Sequence, residues 1–253
     1  MRVAGVIPAR MASTRFPNKP LVKILGIPMI EHVARRTLLA KKIDDVYLAT
    51  CDQEIADASK KMGIKSIMTS DRHTRGTDRV AEAAKSIDAD LIINIQGDEP
   101  LIDPDDLDAA ISSLEANVDA QCSNLITPIL DEASFRNKNV VKATIDLSGK
   151  VLYFSRSAIP HALNGVPVAA YRQIGVYLFR SDFLQRFTQW PESPLEKIES
   201  VDMMRILENG YAIYSHVSKN MIGVDVPSDV ALVEEALLKD SIHSKIASQI
   251  SMA

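Results

Sequence analysis

Short apolar runs alternate with stretches of helical spacing through the first hundred or so residues, and few architectures accept that rhythm. Residues 3–7 form a continuous apolar run closed by Pro8, the pattern of a strand buried on both faces. A polar loop then reaches to about Lys19. Pro28 suits a first helical position, and Ile30, Val33, Leu38 and Leu39 recur behind it near helical spacing. Arg35, Arg36, Lys41 and Lys42 fall where the negative end of that helix favours cations. The rhythm repeats with a strand over Asp45–Thr50, a helix from Asp52 as N-cap to Met62 with Gly63 as its stop, and a strand over Lys65–Met68. A helix over 76–86 and a strand over 90–96 follow, the latter the most apolar run of this half and so expected to be central. Parallel strands need a crossover between them and a helix supplies it. The alternation therefore predicts an α/β fold with a mainly parallel sheet flanked by helices.

From about residue 120 the rhythm changes. Residues 140–146 and 151–156 are β-rich around Ser148-Gly149-Lys150, a hairpin signature. A strand over Tyr171–Arg180, a long helix over 193–208 stopped by Asn209-Gly210, a strand over 211–217 and a helix over 227–238 complete a mixed β insertion. No internal repeat, low-complexity segment or linker interrupts the chain, so residues 1–253 are expected to form one domain. The tail after Lys239 has no clear pattern and is expected to fray or to pack on a partner.

With 46% apolar residues over 253 positions, disorder is excluded. A net charge of −4 without a like-charge block argues against nucleic acid and against a polybasic membrane anchor, leaving small molecules as the expected partners. No apolar run approaches the roughly 18–20 residues of a membrane span, and the N-terminus is charged too soon for a signal peptide. A cytoplasmic location is the expectation. Cys51 and Cys122 lack a CxxC spacing and read as reduced structural thiols.

Ligands of open α/β sheets bind beyond the carboxyl ends of the strands. After the first predicted strand comes PARMASTRFPNKP, residues 8–20, in which Arg10, Arg15 and Lys19 stand among hydroxyl and amide side chains. Guanidinium forks, an ammonium and loop amides suit a polyphosphate, although a solvated basic loop held by its prolines fits the same residues. After the central strand stands Gln96-Gly97-Asp98-Glu99-Pro100, where Asp98 offers a hard oxygen to Mg²⁺. Asp225 also follows an apolar run, and as a residue preceding a helix it fits a helix cap as well as a metal ligand. Mg²⁺ commonly takes one or two carboxylates together with phosphate oxygens and waters, so the set suits a Mg²⁺-bound nucleoside triphosphate.

The segments IPARMASTRFPNKPL, GIPMIEHV, HTRGTDRVAEA, NIQGDEPLI, VVKATID, YFSRSAIP, IGVYLFR, SPLEKIES and GVDVPSDV, in that order, resemble the 3-deoxy-manno-octulosonate (Kdo) cytidylyltransferases. The resemblance implies a nucleotide-diphospho-sugar transferase-like fold whose region of about 120–215 contributes a sugar pocket and a dimer surface. It implies an enzyme that couples CTP to an acid sugar, releases pyrophosphate, requires Mg²⁺ and works as a cytosolic homodimer in lipopolysaccharide synthesis. By motif, Ala9, Arg10, Ser13, Arg15, Lys19 and Gln96 match nucleotide-binding positions, and Asp98 with Asp225 match metal ligands. Arg10, Lys19, Asp98 and Asp225 are the candidate catalytic set. Arg75, Arg79, Arg156, Gln173, Tyr177, Glu196 and Glu199 fall where the family builds its sugar pocket, with Arg156 also readable as a structural ion-pair partner and Tyr177 as a core aromatic.

Three departures touch that pocket. Gln173 stands where the family carries His, Arg75 where it carries Ser, and Asp202-Met203 where it carries Glu-Gln. Either Arg75 compensates for the missing imidazole, or the sugar is a modified, for example amino-substituted, acid sugar. Nucleotidyl transfer to a sugar phosphate, glycosyl transfer on a similar fold and a non-catalytic nucleotide sensor are the rival readings.

Overall fold

The computed structural model describes residues 1–12, 16–161, 163, 170–219 and 221–251. The chain divides into two compact units, Met1–Asp108 with Met221–Ala253, and Ala109–Asn220. In chain order it runs β1 (Val3–Ala9), a 3-10 turn at Lys19–Leu21, β2 (Lys23–Ile24), β3 (Ile27–Pro28), α1 (Met29–Leu38), β4 (Asp45–Thr50), α2 (Gln53–Met62), β5 (Lys65–Met68), α3 (Gly76–Ala84) and β6 (Leu91–Ile95). Next come α4 (Pro104–Ala116), β7 (Cys122–Pro128), α5 (Glu132–Arg136), β8 (Lys142–Ile145), β9 (Val151–Ser155), β10 (Tyr171–Arg180) and α6 (Ser181–Phe187). The chain ends with α7 (Pro194–Glu199), α8 (Met203–Glu208), β11 (Ile213–Val217), α9 (Asp229–Leu238) and α10 (Ser241–Ser251). No helix among the described residues is long and apolar enough to cross a membrane.

In the first unit the strands lie in the order β6, β1, β4, β5, every neighbouring pair parallel. All seven residues of β1 are buried, as expected of a strand covered on both faces. The alternation in the sequence produced this sheet because each apolar run is followed by a helical crossover that lets the next strand run parallel to the last, first outward through β4 and β5 and then to β6 on the other side of β1. Asp52 occupies the N-cap position of α2, yet its side chain makes no cap bond; the carboxylate is engaged elsewhere, as described below. The described part of the tail packs within its own unit. Ile246 is fully buried, Asp240 pairs with Arg36 of α1, and the His243 ring lies 5.5 Å from that of His32.

In the second unit β7 pairs with β10 antiparallel and with β11 parallel, while β8 and β9 form the expected hairpin and β8 joins β10. Its tip is closed by Asp146, whose carboxylate accepts from the backbone N–H groups of Ser148 and Lys150. The continuous helix expected over 193–208 is two helices, α7 and α8, broken at Ser200 with φ 52°. Glu196 and Arg205 explain the break. Their side chains meet in a bidentate pair at 2.6 and 2.7 Å. In one helix, residues nine apart would stand about 13.5 Å apart along the axis and on opposite faces.

Candidate active site

β1 and β6 are neighbours, so the loops leaving their carboxyl ends emerge side by side. Between them lies a cavity of about 280 Å³ lined by Arg10, Lys19, Gln96 and Asp98, with Pro20 and Met29 as apolar lining. A second cavity of about 180 Å³ shares Ala9, Arg10 and Gln96 with the first and adds His73, Arg75 and Arg79. Gly76 has a specific task here. A Cβ at this position would approach Gln96 Nε2 to 3.1 Å, so glycine lets the Gln96 amide lie against the start of α3.

Lys19 is fixed from both sides. Phe16 and Pro20 are buried, and the Lys19 N–H donates to the Phe16 carbonyl at 3.3 Å, so the intervening turn is pinned to the core. Its ammonium donates to Asp98 Oδ2 at 2.6 Å. The loop carrying Arg10 is tied at its start by Asp52, whose Oδ2 accepts from the Met11 N–H at 2.8 Å and from the Cys51 thiol. Sequence reasoning placed Asp52 only as a helix cap, because nothing local links it to a loop forty residues earlier. Ser13 and Arg15 lie outside the described residues.

Asp225 reaches the same neighbourhood through its backbone. Val224 N–H donates to the Asp98 carbonyl at 2.9 Å, and a Cβ at Gly223 would lie 3.3 Å from that oxygen, so glycine allows the two segments to run in contact. The cap alternative for Asp225 fails. The carboxylate that gathers the N–H groups ahead of α9 belongs to Asp229, which accepts from Asp225 and Val226 at 2.7 and 2.9 Å. The Asp225 side chain is left exposed. Two carboxylates on adjoining segments fit the hard-oxygen preference of Mg²⁺. Among the described residues no group of three or more His, Cys, Asp or Glu side chains is placed to hold a metal ion by itself.

The residues expected at the sugar divide. Arg75 immediately precedes α3 and lines the smaller cavity. Arg79 lines it too, but its Nη1 donates to Thr69 Oγ1 at 2.6 Å and to the Ser70 carbonyl. Glu82 is held below the usual carboxylate range, first by the Ser70 N–H and then by His73. In the second unit, Glu196 is fully buried against Arg205 and accepts from the Ser193 N–H. Glu199 accepts from the Ser155 hydroxyl and the Arg156 N–H, both at 2.8 Å. The Arg156 guanidinium donates to the carbonyls of Glu199, Lys138 and Ser200. These three side chains therefore make contacts within their own unit, and the Arg156 guanidinium is held by carbonyls rather than in the ion pair that was its alternative reading. Sequence reasoning missed Lys142, fully buried, whose ammonium donates to the carbonyls of Asn137, Val140 and Arg156 at 2.9, 2.6 and 2.6 Å. Burial pushes its pKa down. Gln173 and Tyr177 flank an irregularity in β10, Tyr177 only 9% exposed. Cys122 is buried, which pushes its thiol pKa up and leaves it inert.

The cytidylyltransferase family model matches residues 4–221. The 3-deoxy-manno-octulosonate cytidylyltransferase of Syntrophotalea carbinolica is 45% identical over 94% of this chain and 99% of its own. That of Geobacter metallireducens is 42% identical over 96% and 100%. A solved CMP:2-keto-3-deoxy-manno-octonic acid synthetase complexed with CTP superposes with a TM-score of 0.89 at 34% identity, covering 94% of this chain and 99% of that one. Fold, cavity and full-length similarity agree, and the chain belongs to the 3-deoxy-manno-octulosonate cytidylyltransferase family.

Proposed function

We infer that the protein is a CTP-dependent sugar nucleotidyltransferase that joins the cytidylyl group of CTP to Kdo or a closely related 3-deoxy acid sugar. The observation that carries this reading is the Lys19–Asp98 pair at 2.6 Å in a cavity also lined by Arg10 and Gln96, in a chain similar over its length to enzymes named for that reaction. The anomeric hydroxyl gives up its proton to solvent as its oxygen forms a bond to the α-phosphorus, the bond from that phosphorus to the bridging oxygen breaks, and pyrophosphate leaves with that electron pair. Arg10 and Lys19 supply positive charge where negative charge grows on the leaving pyrophosphate. Asp98 and Asp225 would hold Mg²⁺, which when bound supplies charge neutralisation between the two anionic substrates.

The family resemblance also supports a homodimer and a cytosolic location. Replacement of an ionisable imidazole by Gln173 supports a second reading, a modified acid sugar as substrate. Pyrophosphate release, followed with each nucleoside triphosphate against Kdo, an amino-substituted Kdo and hexose 1-phosphates, tests the proposal. CTP with an acid sugar is the expected productive pair, and chelation of Mg²⁺ should stop it. Turnover only with a sugar phosphate, or CTP binding without pyrophosphate from any acid sugar, would replace this reading by one of its rivals.

A further inference from the structure

β10 contains a bulge between the two residues expected to face the sugar. Gln173 stands opposite Ile126 and Tyr177 opposite Asn124, four steps along β10 against two along β7. Such insertions re-aim side chains but withdraw backbone groups from the ladder. Here Asn124, fully buried on β7, answers the loss. Its Nδ2 donates to the carbonyls of Ile174 and Val176 at 3.0 and 2.8 Å, the two carbonyls within the bulge that alternate with Gly175. A side-chain amide carries two N–H donors on one uncharged nitrogen; a hydroxyl of similar reach offers one donor and a carboxylate none. The distance from Gln173 to Tyr177 along the sheet is thus set by the chemistry of residue 124.

The atoms left over point to a ligand. Gln173 Nε2, Asn124 Oδ1 and Ser215 Oγ are buried without a hydrogen-bond partner among the described residues, and Ser215 is the register neighbour of Asn124 on β11. Buried polar atoms in folded proteins are nearly always satisfied. The Gln173 amide nitrogen offers a donor whose natural complement is an oxygen of the bound molecule. The unpaired Asn124 and Ser215 oxygens mark the same stretch of sheet as polar.

We propose that Asn124 is a positioning residue for sugar selection: by holding the β10 bulge open it fixes Gln173 and Tyr177, and Gln173 donates to a hydroxyl or carboxylate oxygen of the acid sugar. This inference rests on the CMP-sugar reading above. Asn124→Leu removes both donors while keeping the branching of the side chain, and Asn124→Ser keeps one, so the pair remains informative if the first folds poorly. For each variant and for the wild type, kcat and KM are measured with Kdo and with an amino-substituted Kdo, and KM is measured for CTP. The expected result is a rise of at least tenfold in sugar KM for Asn124→Leu and a smaller rise for Asn124→Ser. The ratio of kcat/KM between the two sugars changes, and KM for CTP stays within twofold. A purely structural defect lowers the folded fraction and scales kcat with both sugars equally; unchanged sugar KM values and an unchanged ratio in the variants would overturn the proposal. Failure of the underlying reading is separately visible, because wild-type protein would then give no CMP-sugar from CTP with either acid sugar.

Discussion

Lys19 and Asp98 show how one contact serves two purposes. Their 2.6 Å pair joins the side chains of the turn after β1 and the loop after β6, and both residues line the cavity proposed above to receive the triphosphate. If the pair were only structural, removing the ammonium would lower stability and activity together. Because Phe16 and Pro20 pin the turn independently, Lys19→Met is expected to lower kcat/KM for CTP by about 10²–10³, the usual loss of a preorganised donor at a developing oxyanion, while thermal melting moves by only a few degrees. Pyrophosphate release and melting curves on one preparation decide it. Asp52 makes a distinct prediction. Its carboxylate holds the Met11 N–H at 2.8 Å, and a hydrogen bond to a charged group contributes about 1.5–3 kcal/mol. Asp52→Ala is therefore expected to raise KM for CTP by about tenfold or more as the loop loses its anchor. Asp52→Asn, which keeps an acceptor oxygen, should lie much nearer the wild type. Equal KM values in wild type and Asp52→Ala would remove Asp52 from the site.

At the scale of the element, α7 and α8 are joined by chemistry rather than by helix. Glu196 and Arg205 side chains are 0% and 5% exposed, so deleting one partner leaves a charge in the interior. Arg205→Met is expected to destabilise by about 3–5 kcal/mol, whereas the double replacement Glu196→Leu with Arg205→Met should recover most of that loss, since an apolar pair removes the desolvation cost of both ions. Urea unfolding of the three proteins checks the sign; a double variant no better than the single one would show that the pair's geometry, not its charge, is limiting. The same pair marks the limit of sequence reading. The parallel sheet of β1, β4, β5 and β6 was legible because each strand is a local apolar run and each helix a local period. The 193–208 break was not, because its cause is a contact between residues nine apart whose meeting requires the break itself. Arg10, Lys19, Gln96 and Asp98 were legible because they follow strands, where any parallel sheet exposes its loops. Asp52, Lys142 and Asn124 were hidden because their partners are carbonyls and N–H groups contributed by other segments, and backbone groups leave no signature in composition or spacing.

At the scale of the whole molecule, the first unit contains both ends of the chain, and its C-terminal helix sits on a buried histidine. His32 is fully buried on α1, and its Nε2 lies 2.9 Å from the Ile24 carbonyl, an acceptor that requires the proton on that nitrogen. Its Nδ1, and the Nδ1 of His243 on α10, are buried without hydrogen-bond partners among the described residues. Desolvation lowers the His32 pKa first, and the nearby His243 and Arg36 lower it further against the raising effect of the Ile24 carbonyl. Arg36 is itself paired with Asp240 at the start of α10. A histidine whose folded pKa lies below its unfolded value binds protons more readily when the chain is unfolded. Its contribution to stability is then complete above the unfolded value of about 6.5 and is lost progressively as pH falls through it toward the lower folded value. The protein is therefore expected to melt at lower temperature as pH drops from about 7.5 to 5.5, with the amides of α10 gaining hydrogen exchange before those of β1 and β6. His32→Gln retains an N–H donor for the Ile24 carbonyl and cannot titrate, so in this variant the melting temperature should change much less across the same interval. A wild type whose melting temperature and α10 protection are flat over that range, or a variant that shows the same slope, would show that docking of the C-terminal helix does not depend on keeping this ring neutral.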